Sequence, residues 1–415
     1  MTAHPARRER RREIRAQCQR EKAMKTDFSI RGGQLVLPGS VQSGLCLNVR
    51  DGKIASLTPQ PERDLPVIDA QGQYVMPGVI DIHVHGGGGA DFMDGSAQAI
   101  RTAAQAHCAH GTTSIVPTTM TCPDEELREF IRMFLTVKRE GTGSAELLGL
   151  HLEGPFFSAA SRGAQPVGDV RVPDEAFLRE ILALAEGEII RWDAAPELGN
   201  MEMFARVMRE HGVLCAVAHT DAVADETEAA FKWGFSHVTH FYNAITTYRK
   251  LSDTRNYAGV VEATYLHDEV TLELIGDGRH VPKQSLLLAL KLKSPDGIAL
   301  ITDAMRAAGQ SVKTSVLGKL DSGVSVVIYD GVAQMPDKLH YAGSIATMDR
   351  VLRTVHAQYG VPLCDTVRMM TLTPARLCGV QNRKGSLEAG KDADVLLVSP
   401  ELNVERVFVG GDEIK

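Results

Sequence analysis

The feature that most constrains the fold is a long alternation of strand-like and helix-like segments between residues 77 and 380. Amphipathic stretches such as AQAIRTAAQAHCAHG and DEELREFIRMFLTVKREG separate most of the strand candidates. The eight candidates are GVIDIHVH, TSIVPTT, ELLGLHLEG, EIIRWDAAPE, VLCAVAHT, HVTHFYN, TLELIGDG and GIALITDA. Eight such units predict an α/β fold, a (β/α)8 TIM-like barrel. Residues 310–345 lack the alternation and predict an irregular excursion after the eighth strand.

The two ends of the chain have a different sequence pattern from the middle. Residues 24–76 and 381–415 consist of short alternating segments that break at glycine, proline or Asp-Gly. Asp51-Gly52 is a strong signal for a tight β-hairpin. We therefore expect a small β-sandwich domain assembled from both termini, beside a barrel of residues 77–380.

Residues 1–23 are basic and contain no apolar run of the kind that a secretory signal needs. A basic arm for nucleic acid or a membrane surface is one interpretation. A disordered tail, or a true start at Met24, is the other. We favour the second, because MKTDFSIRGGQLVLPG already has the pattern of an opening strand and turn.

Composition and charge argue against several classes of protein. The chain has 415 residues, of which 44% are hydrophobic and 23% charged, as is typical of globular proteins and not of disordered ones. A net charge of −7 argues against a nucleic-acid partner, and the lack of a long apolar run argues against a membrane span. The seven cysteines are odd in number and form no CxxC pair, which favours a reducing compartment and predicts a cytoplasmic protein.

Polar side chains stand at the ends of several predicted barrel strands. They are His83 and His85 on the first strand, Glu153 on the third, His219 on the fifth, His240 on the sixth and Asp303 on the eighth. Each alone has a plain explanation, such as a surface histidine or a capping carboxylate. Together they are expected to converge, because active sites of such barrels lie at the carboxyl ends of the strands. Nitrogen and oxygen ligands suit a borderline divalent metal, and Asp303 is the natural base beside it. His151 lies two residues before Glu153 on the same face of the strand and therefore deeper in the barrel. We expect it to be a hydrogen-bonded core histidine.

The chain resembles the N-acetylglucosamine-6-phosphate deacetylase family of the amidohydrolase superfamily, from about Met24 to Lys415. The motifs that carry the resemblance are PGVIDIHVHGGGGADFMD, GTTSIVPTT, GLHLEGPF, AHTDA, VTHFYNAI, IGDGRHV, LITDAMRAAG, YAGSIATMDR, LTPARLCGV and KGSLEAGKDADVLLV. The resemblance implies that the barrel is of the metal-dependent hydrolase type. It also implies hydrolysis of the N-acetyl group of N-acetylglucosamine-6-phosphate, or of a close amino-sugar phosphate. Metal-bound hydroxide would attack the acetamide carbonyl, with Asp303 as general base and then acid.

The resemblance also implies a role for each candidate ligand. Glu153, His219 and His240 resemble the family's principal metal ligands. His83 and His85 resemble a pair that supplies a second metal in the members that have it. One or two ions per subunit are therefore expected, zinc first, with iron, cobalt or manganese as alternatives.

Substrate contacts follow from the same resemblance. Asn243 and Ala244 resemble contacts to the sugar, and His280 resembles a histidine near its hydroxyls and phosphate. The implied partner is the small-molecule substrate, and the implied assembly is a homodimer.

Two departures from the family pattern bear on the substrate. Gln165 stands where the family usually has a histidine that polarises the amide carbonyl, and glutamine can donate a hydrogen bond but carries no charge. The usual Arg-Glu-Pro-Gly segment, whose arginine grips the phosphate from a neighbouring subunit, is replaced by TTYRKLSDTRNYAGVV, in which Arg249 and Arg255 are the candidates. A related amidohydrolase that deacylates another N-acyl substrate, including an unphosphorylated one, is therefore the alternative. A non-catalytic barrel is disfavoured, because every expected ligand position is filled.

Overall fold

The structure is a computed structural model that describes residues 26–250, 255–337 and 340–415. The interpretations of residues 1–23 therefore lie outside the described residues. Within the described ranges, no helix is both long enough and apolar enough to cross a membrane. The cysteines in these ranges are free thiols.

The N-terminal segment contains seven short strands. They are β1 (Phe28–Arg31), β2 (Gln34–Leu37), β3 (Ser40–Gln42), β4 (Cys46–Arg50), β5 (Lys53–Thr58), β6 (Val67–Asp69) and β7 (Tyr74–Pro77).

Strands and helices alternate through the middle of the chain. The strands are β8 (Val79–Val84), β9 (Gly86–Gly87), β10 (Ala90–Asp91), β11 (Thr112–Pro117), β12 (Glu146–Leu147), β13 (Leu150–Phe156), β14 (Ile189–Ala194), β15 (Leu214–Val217), β16 (Phe235–Val238), β17 (Arg249–Lys250), β18 (Asn256–Tyr257), β19 (Thr271–Ile275) and β20 (Ile298–Ile301). The helices between them are α1 (Ala97–Cys108), α2 (Asp124–Glu140), α3 (Glu175–Leu184), α4 (Met201–Glu210), α5 (Ala224–Trp233), α6 (Val260–Leu266) and α7 (Lys283–Lys293).

The last third of the chain adds three strands, three helices and the C-terminal strands. They are β21 (Thr314–Leu317), β22 (Val324–Tyr329), β23 (Val332–Gln334), α8 (Met348–Leu352), α9 (Leu363–Met370), α10 (Leu372–Leu377), β24 (Val395–Val398), β25 (Val404–Val409) and β26 (Asp412–Glu413). Single turns of 3-10 or π helix lie at Val167–Asp169, Pro295–Gly297 and Arg353–Gln358.

Each of the eight predicted strand segments contains a strand of a TIM-like barrel. The parallel sheets β12-β11-β8 and β13-β14-β15-β16-β19-β20 keep the strands in chain order. Parallel bridges between Thr118 and His151 and between Val84 and Ala304 connect the edges of the two sheets. The carboxyl ends of the strands therefore face one common region.

The helices cover the barrel because their apolar residues recur at helical spacing. In α2, Leu127, Phe130, Ile131 and Phe134 lie on one buried face. The first turn of α2 is acidic and its last turn is basic, which complements the helix dipole.

The described part of the excursion after the eighth barrel strand contains regular strands, so the prediction of an irregular segment is wrong there. Strands β21, β22 and β23 form an antiparallel meander, in the order in which they follow in the chain. Leu317, Val326 and Ala333 of this meander pack with Met305 of the barrel in one apolar cluster. The alternation of β22 is weak because its sequence VSVVIY places apolar side chains on both faces, so sequence alone does not identify the strand.

Both termini contribute to a small β domain beside the barrel. One sheet has the order β5-β4-β1-β6, and the other has the order β26-β25-β24-β7-β2-β3. Phe28, Leu47, Val395 and Phe408 from the two sheets share a buried apolar cluster. The predicted hairpin is present: β4 pairs antiparallel with β5 across Asp51-Gly52, and both turn residues have positive φ.

Candidate active site

A cavity of about 690 Å³ opens at the carboxyl ends of the barrel strands. The predicted residues at strand ends that line it are His85, Glu153, His219, His240 and Asp303. His83 lies directly beneath them, with no exposed surface. The structure therefore brings together all six residues that strand position alone had singled out.

Glu153 is the centre of the cluster. Its Oε1 lies 3.1 Å from Nε2 of His219 and 3.1 Å from Nε2 of His240. The two imidazole nitrogens are 3.0 Å apart. The Nδ1 of His219 donates to the carbonyl oxygen of Ser161 at 3.0 Å, which orients the ring so that Nε2 is directed at the carboxylate.

The His-x-His pair lies on the other side of the same carboxylate. His85 Nε2 is 3.4 Å from Glu153 Oε2 and 3.2 Å from Asp303 Oδ1. His83 Nε2 is 3.8 Å from Glu153 Oε1 and 3.5 Å from Asp303 Oδ1. The backbone N–H of Asp303 donates to the carbonyl oxygen of His83, so the first and eighth strands hold these side chains in register.

Backbone conformation at the strand ends is strained where the site residues lie. His219, His240 and Asp303 have φ values of 45°, 28° and 47°, and Tyr242 and Ala244 also lie in the left-handed region. Such conformations cost about 1–3 kcal/mol each for non-glycine residues and cluster at functional sites. The left-handed backbone conformation directs each of these side chains away from the strand and into the cavity.

Two groups of side chains fit a metal ion. His83, His85 and Glu153 form one group, and Glu153, His219 and His240 form the other, with all ligand atoms of a group within 4.8 Å of one another. Nε2 of His83 is buried without a hydrogen-bond partner among the described residues. Imidazole nitrogens and a shared carboxylate are the ligands that zinc and related divalent metals accept.

The electrostatics of the cluster favour a bound cation. Burial by itself raises the pKa of Glu153, but hydrogen bonds from His219 and His240 hold that pKa well below its usual range. Burial opposes protonation of His240, yet Glu153 raises its pKa to about 9. A divalent cation would displace these protons, so metal binding should release them.

Four of the six predicted substrate contacts also line the cavity: Gln165, Asn243, Ala244 and His280. Gln165 Nε2 donates to Glu153 Oε2 at 2.8 Å, and its Oε1 accepts the backbone N–H of Thr121. Nδ1 of His280 lies 2.9 Å from Asp277 Oδ2.

Arg249 and Arg255 are not among the described residues that line the cavity of their own chain. Arg249 donates to the side chain and the carbonyl oxygen of Asp221. The guanidinium of Arg255 lies 5.7 Å from the ring centre of Tyr257.

Comparison with known proteins agrees with this geometry. A sequence model of the amidohydrolase family matches residues 74–414. The N-acetylglucosamine-6-phosphate deacetylase of Vibrio furnissii is 32% identical over 81% of this chain and 82% of its own length. The chain belongs to the N-acetylglucosamine-6-phosphate deacetylase family. This confirms the resemblance stated from the motifs.

Other members of the family match this chain over most of the length of both chains. An N-acetylgalactosamine-6-phosphate deacetylase of Escherichia coli O157:H7 is 30% identical over 88% of this chain and 93% of its own length. The crystal structure of the family member from Pasteurella multocida is 27% identical, with a TM-score of 0.86 over 93% of this chain and 99% of that one. A Mycobacterium smegmatis variant in complex with N-acetyl-D-glucosamine-6-phosphate is 28% identical, with a TM-score of 0.85 over 94% of this chain and 99% of that one.

Three further residues near the site had no predicted role. Arg162 is the one arginine or lysine among the described residues that line the cavity, and its Nη1 donates to the carbonyl oxygen of Gln165. Tyr341, the first residue of the YAGSIATMDR motif, also lines the cavity, with its ring centre 4.5 Å from that of His280. Arg162 could have been noticed, because it stands three residues before Gln165 in the loop after Glu153.

The third is Glu273, which lies in β19 below the cavity and is fully buried. It contacts His83 and Arg191. No sequence signal marked this pair, because a charged residue within a strand has the same pattern whether it faces the barrel interior or solvent. His151, by contrast, is the hydrogen-bonded core histidine that was expected, with Nε2 2.8 Å from Asp193 Oδ2.

Proposed function

We propose that this chain is a metal-dependent deacetylase that hydrolyses N-acetylglucosamine-6-phosphate to acetate and the amino sugar phosphate. One observation carries the proposal: two ligand groups share Glu153 beside Asp303 in one cavity of a chain that belongs to the deacetylase family. The relatives act, by name, on phosphorylated amino sugars, so the alternative of an unphosphorylated N-acyl substrate is not favoured.

The residues that would hold the principal metal are Glu153, His219 and His240, and His83 with His85 would hold a second. A bound divalent cation supplies Lewis acidity, which polarises the acyl carbonyl and favours deprotonation of water. Zinc is our first choice, because the ligands are nitrogen and oxygen in a compact group.

Asp303 is the proton carrier in this proposal. Its carboxylate lines the cavity beside both histidines of the His-x-His pair. It takes a proton from water as the oxygen–carbon bond forms, and it returns that proton to the nitrogen as the carbon–nitrogen bond breaks. The products are acetate and a free amine.

Gln165 is proposed to orient the acyl oxygen. One N–H of its amide donates to Glu153, and an amide nitrogen has a second N–H to offer to a carbonyl. Because glutamine stays neutral, its contribution does not depend on pH.

The sugar is proposed to contact Asn243, Ala244 and His280. Because Arg249 and Arg255 do not line the cavity of their own chain, either would have to reach the phosphate from a neighbouring subunit, which is why we propose a homodimer. We also propose a cytoplasmic location, and a β-sandwich domain of residues 24–76 and 381–415 beside a barrel of residues 77–380.

The deciding experiment measures acetate release from N-acetylglucosamine-6-phosphate, N-acetylgalactosamine-6-phosphate and both unphosphorylated sugars, with zinc, iron, cobalt or manganese added to stripped enzyme. The proposal expects the highest kcat/KM with N-acetylglucosamine-6-phosphate and loss of turnover after stripping. Preference for an unphosphorylated sugar would move the assignment to the alternative. The Asp303→Asn variant, prepared in parallel, controls for contaminating deacetylases.

A further inference from the structure

A buried carboxylate below the cavity contacts both ligand groups. Glu273 Oε1 accepts from Nδ1 of His83 at 2.6 Å and from the backbone N–H of His240 at 3.2 Å. Its other oxygen accepts from Arg191 Nη1 at 2.6 Å and lies 3.4 Å from His237 Nε2. These side chains have almost no exposed surface.

The Glu273 carboxylate is paired with a guanidinium inside the barrel. Arg191 donates to both of its oxygens, from Nη1 to Oε2 at 2.6 Å and from Nη2 to Oε1 at 3.2 Å. Arg191 is held in turn, since its Nη2 lies 2.6 Å from Nδ1 of His151. The carboxylate is therefore a fixed acceptor.

A fixed acceptor at Nδ1 determines which nitrogen of His83 carries the proton. Neutral imidazole has one N–H and one lone pair, so an N–H directed at Glu273 leaves the lone pair on Nε2. That nitrogen is the one that faces Glu153 and Asp303 and has no hydrogen-bond partner among the described residues.

We propose that Glu273, neutralised by Arg191, is the positioning residue that fixes the tautomer and orientation of His83 and so creates the second metal site. This inference rests on the proposed metal centre. Partners of this kind typically change metal affinity about 10–100-fold when removed.

Glu273→Gln is the sharpest substitution, because it keeps the shape and removes one acceptor. Arg191 and His83 then compete for a single amide oxygen. If Arg191 takes it, the amide N–H faces Nδ1, the imidazole proton moves to Nε2, and the lone pair that would bind metal is lost.

The measurement is zinc affinity of the full chain by chelator competition, together with 15N NMR of the histidine side chains in the stripped protein. We expect wild type to bind two ions with His83 protonated at Nδ1. Glu273→Gln should bind one ion as wild type does and the other about 10–100-fold more weakly, with the His83 proton moved to Nε2. Glu273→Asp should restore part of the affinity.

Asp193→Asn is the matched control. It removes a carboxylate from the same buried network, where Asp193 contacts His151 and Arg191 but no proposed ligand. Its zinc affinity should stay within about twofold of wild type. A general loss of packing would weaken zinc binding in both variants and would overturn the proposal.

Other outcomes separate this inference from the proposed function. Unchanged zinc affinity and an unchanged His83 tautomer in Glu273→Gln would refute the positioning role while leaving the deacetylase intact. A wild-type protein that binds no zinc and releases no acetate would overturn the proposed function itself. If Glu273→Gln does not fold, Glu273→Asp carries the test, and wild-type affinity in that variant, with an unmoved tautomer, refutes the role.

Discussion

The two ends of the cavity are formed by different kinds of chain segment. At the metal end, Glu153, His219, His240 and Asp303 project from barrel strands, are buried, and are each held by a second contact or a strained backbone. At the proposed sugar end, Tyr341 belongs to the segment after the meander and is 43% exposed. In barrels of this kind the strand ends carry the reacting groups and the loops vary, so we expect the scaffold to fix the reaction and the loops to determine which substrate is accepted.

The largest effect is expected for Glu153→Ala, because Glu153 belongs to both ligand groups. We expect this variant, and His219→Ala, to lose the principal metal and with it turnover. The double variant His83→Ala/His85→Ala should lose at most one ion. Elemental analysis of the metal bound per subunit distinguishes loss of the principal metal from loss of one ion only.

The control for this experiment is His211→Ala. His211 is an exposed histidine whose Nδ1 bonds to the carbonyl oxygen of Val207, outside the cavity. It should keep the wild-type metal content. Complete loss of metal from the His83/His85 double variant would show that the two groups are ranked in the wrong order.

The next largest effect is expected for Asp303→Asn. The amide keeps the size of the side chain but cannot accept a proton from water, so kcat should fall about 10²–10⁴-fold while metal content stays unchanged. Asp337→Asn is the matched control, because Asp337 lines the same cavity at the sugar end. A metal-loaded Asp303→Asn enzyme with wild-type kcat would remove Asp303 from the mechanism.

The contrast between the two ends also explains what could be predicted from sequence. Strand ends of a barrel converge by topology, so His83, Glu153 and Asp303 could be grouped without knowing any distance. Arg162 and Tyr341 line the same cavity through the conformations of two segments outside the barrel strands, and such conformations depend on contacts that no local pattern encodes. Glu273 was missed for a different reason, since alternation along a strand does not reveal what the side chain meets inside.

In the loop after Glu153, we expect Arg162→Ala to lower kcat/KM for the phosphorylated sugar about tenfold or more, since a charged hydrogen bond is worth about 1.5–3 kcal/mol. Activity on unphosphorylated N-acetylglucosamine should be unchanged. An equal loss with both substrates would mean that Arg162 only supports the loop through its bond to Gln165.

Arg249→Ala or Arg255→Ala is expected to raise KM for the phosphorylated sugar with the metal retained. If the contributing arginine acts from a neighbouring subunit, mixing Arg162→Ala subunits with Arg255→Ala subunits should restore activity, because one site of each mixed dimer then has both side chains. Absence of restoration, with each variant impaired alone, would place both arginines in the same chain's site. Wild-type kinetics in both arginine variants, and in their double variant, would remove this segment from phosphate binding.

The smallest effect is expected at the wall that the Tyr341 ring forms against His280. Aromatic pairs of this kind contribute about 0.5–1.5 kcal/mol beyond their buried area, which corresponds to about a two- to twelvefold change in binding. Tyr341→Leu should therefore raise KM by about that factor, with kcat and metal content unchanged, because the ring packs against His280, a proposed substrate contact, and does not belong to the ligand groups. Tyr329→Leu, on the exposed side of the meander and outside the cavity, is the matched control and should leave KM as it is. A fall in kcat with KM unchanged in Tyr341→Leu would mean that the wall acts on the reacting atoms, and the division between a metal end that sets the rate and a sugar end that sets binding would then be wrong.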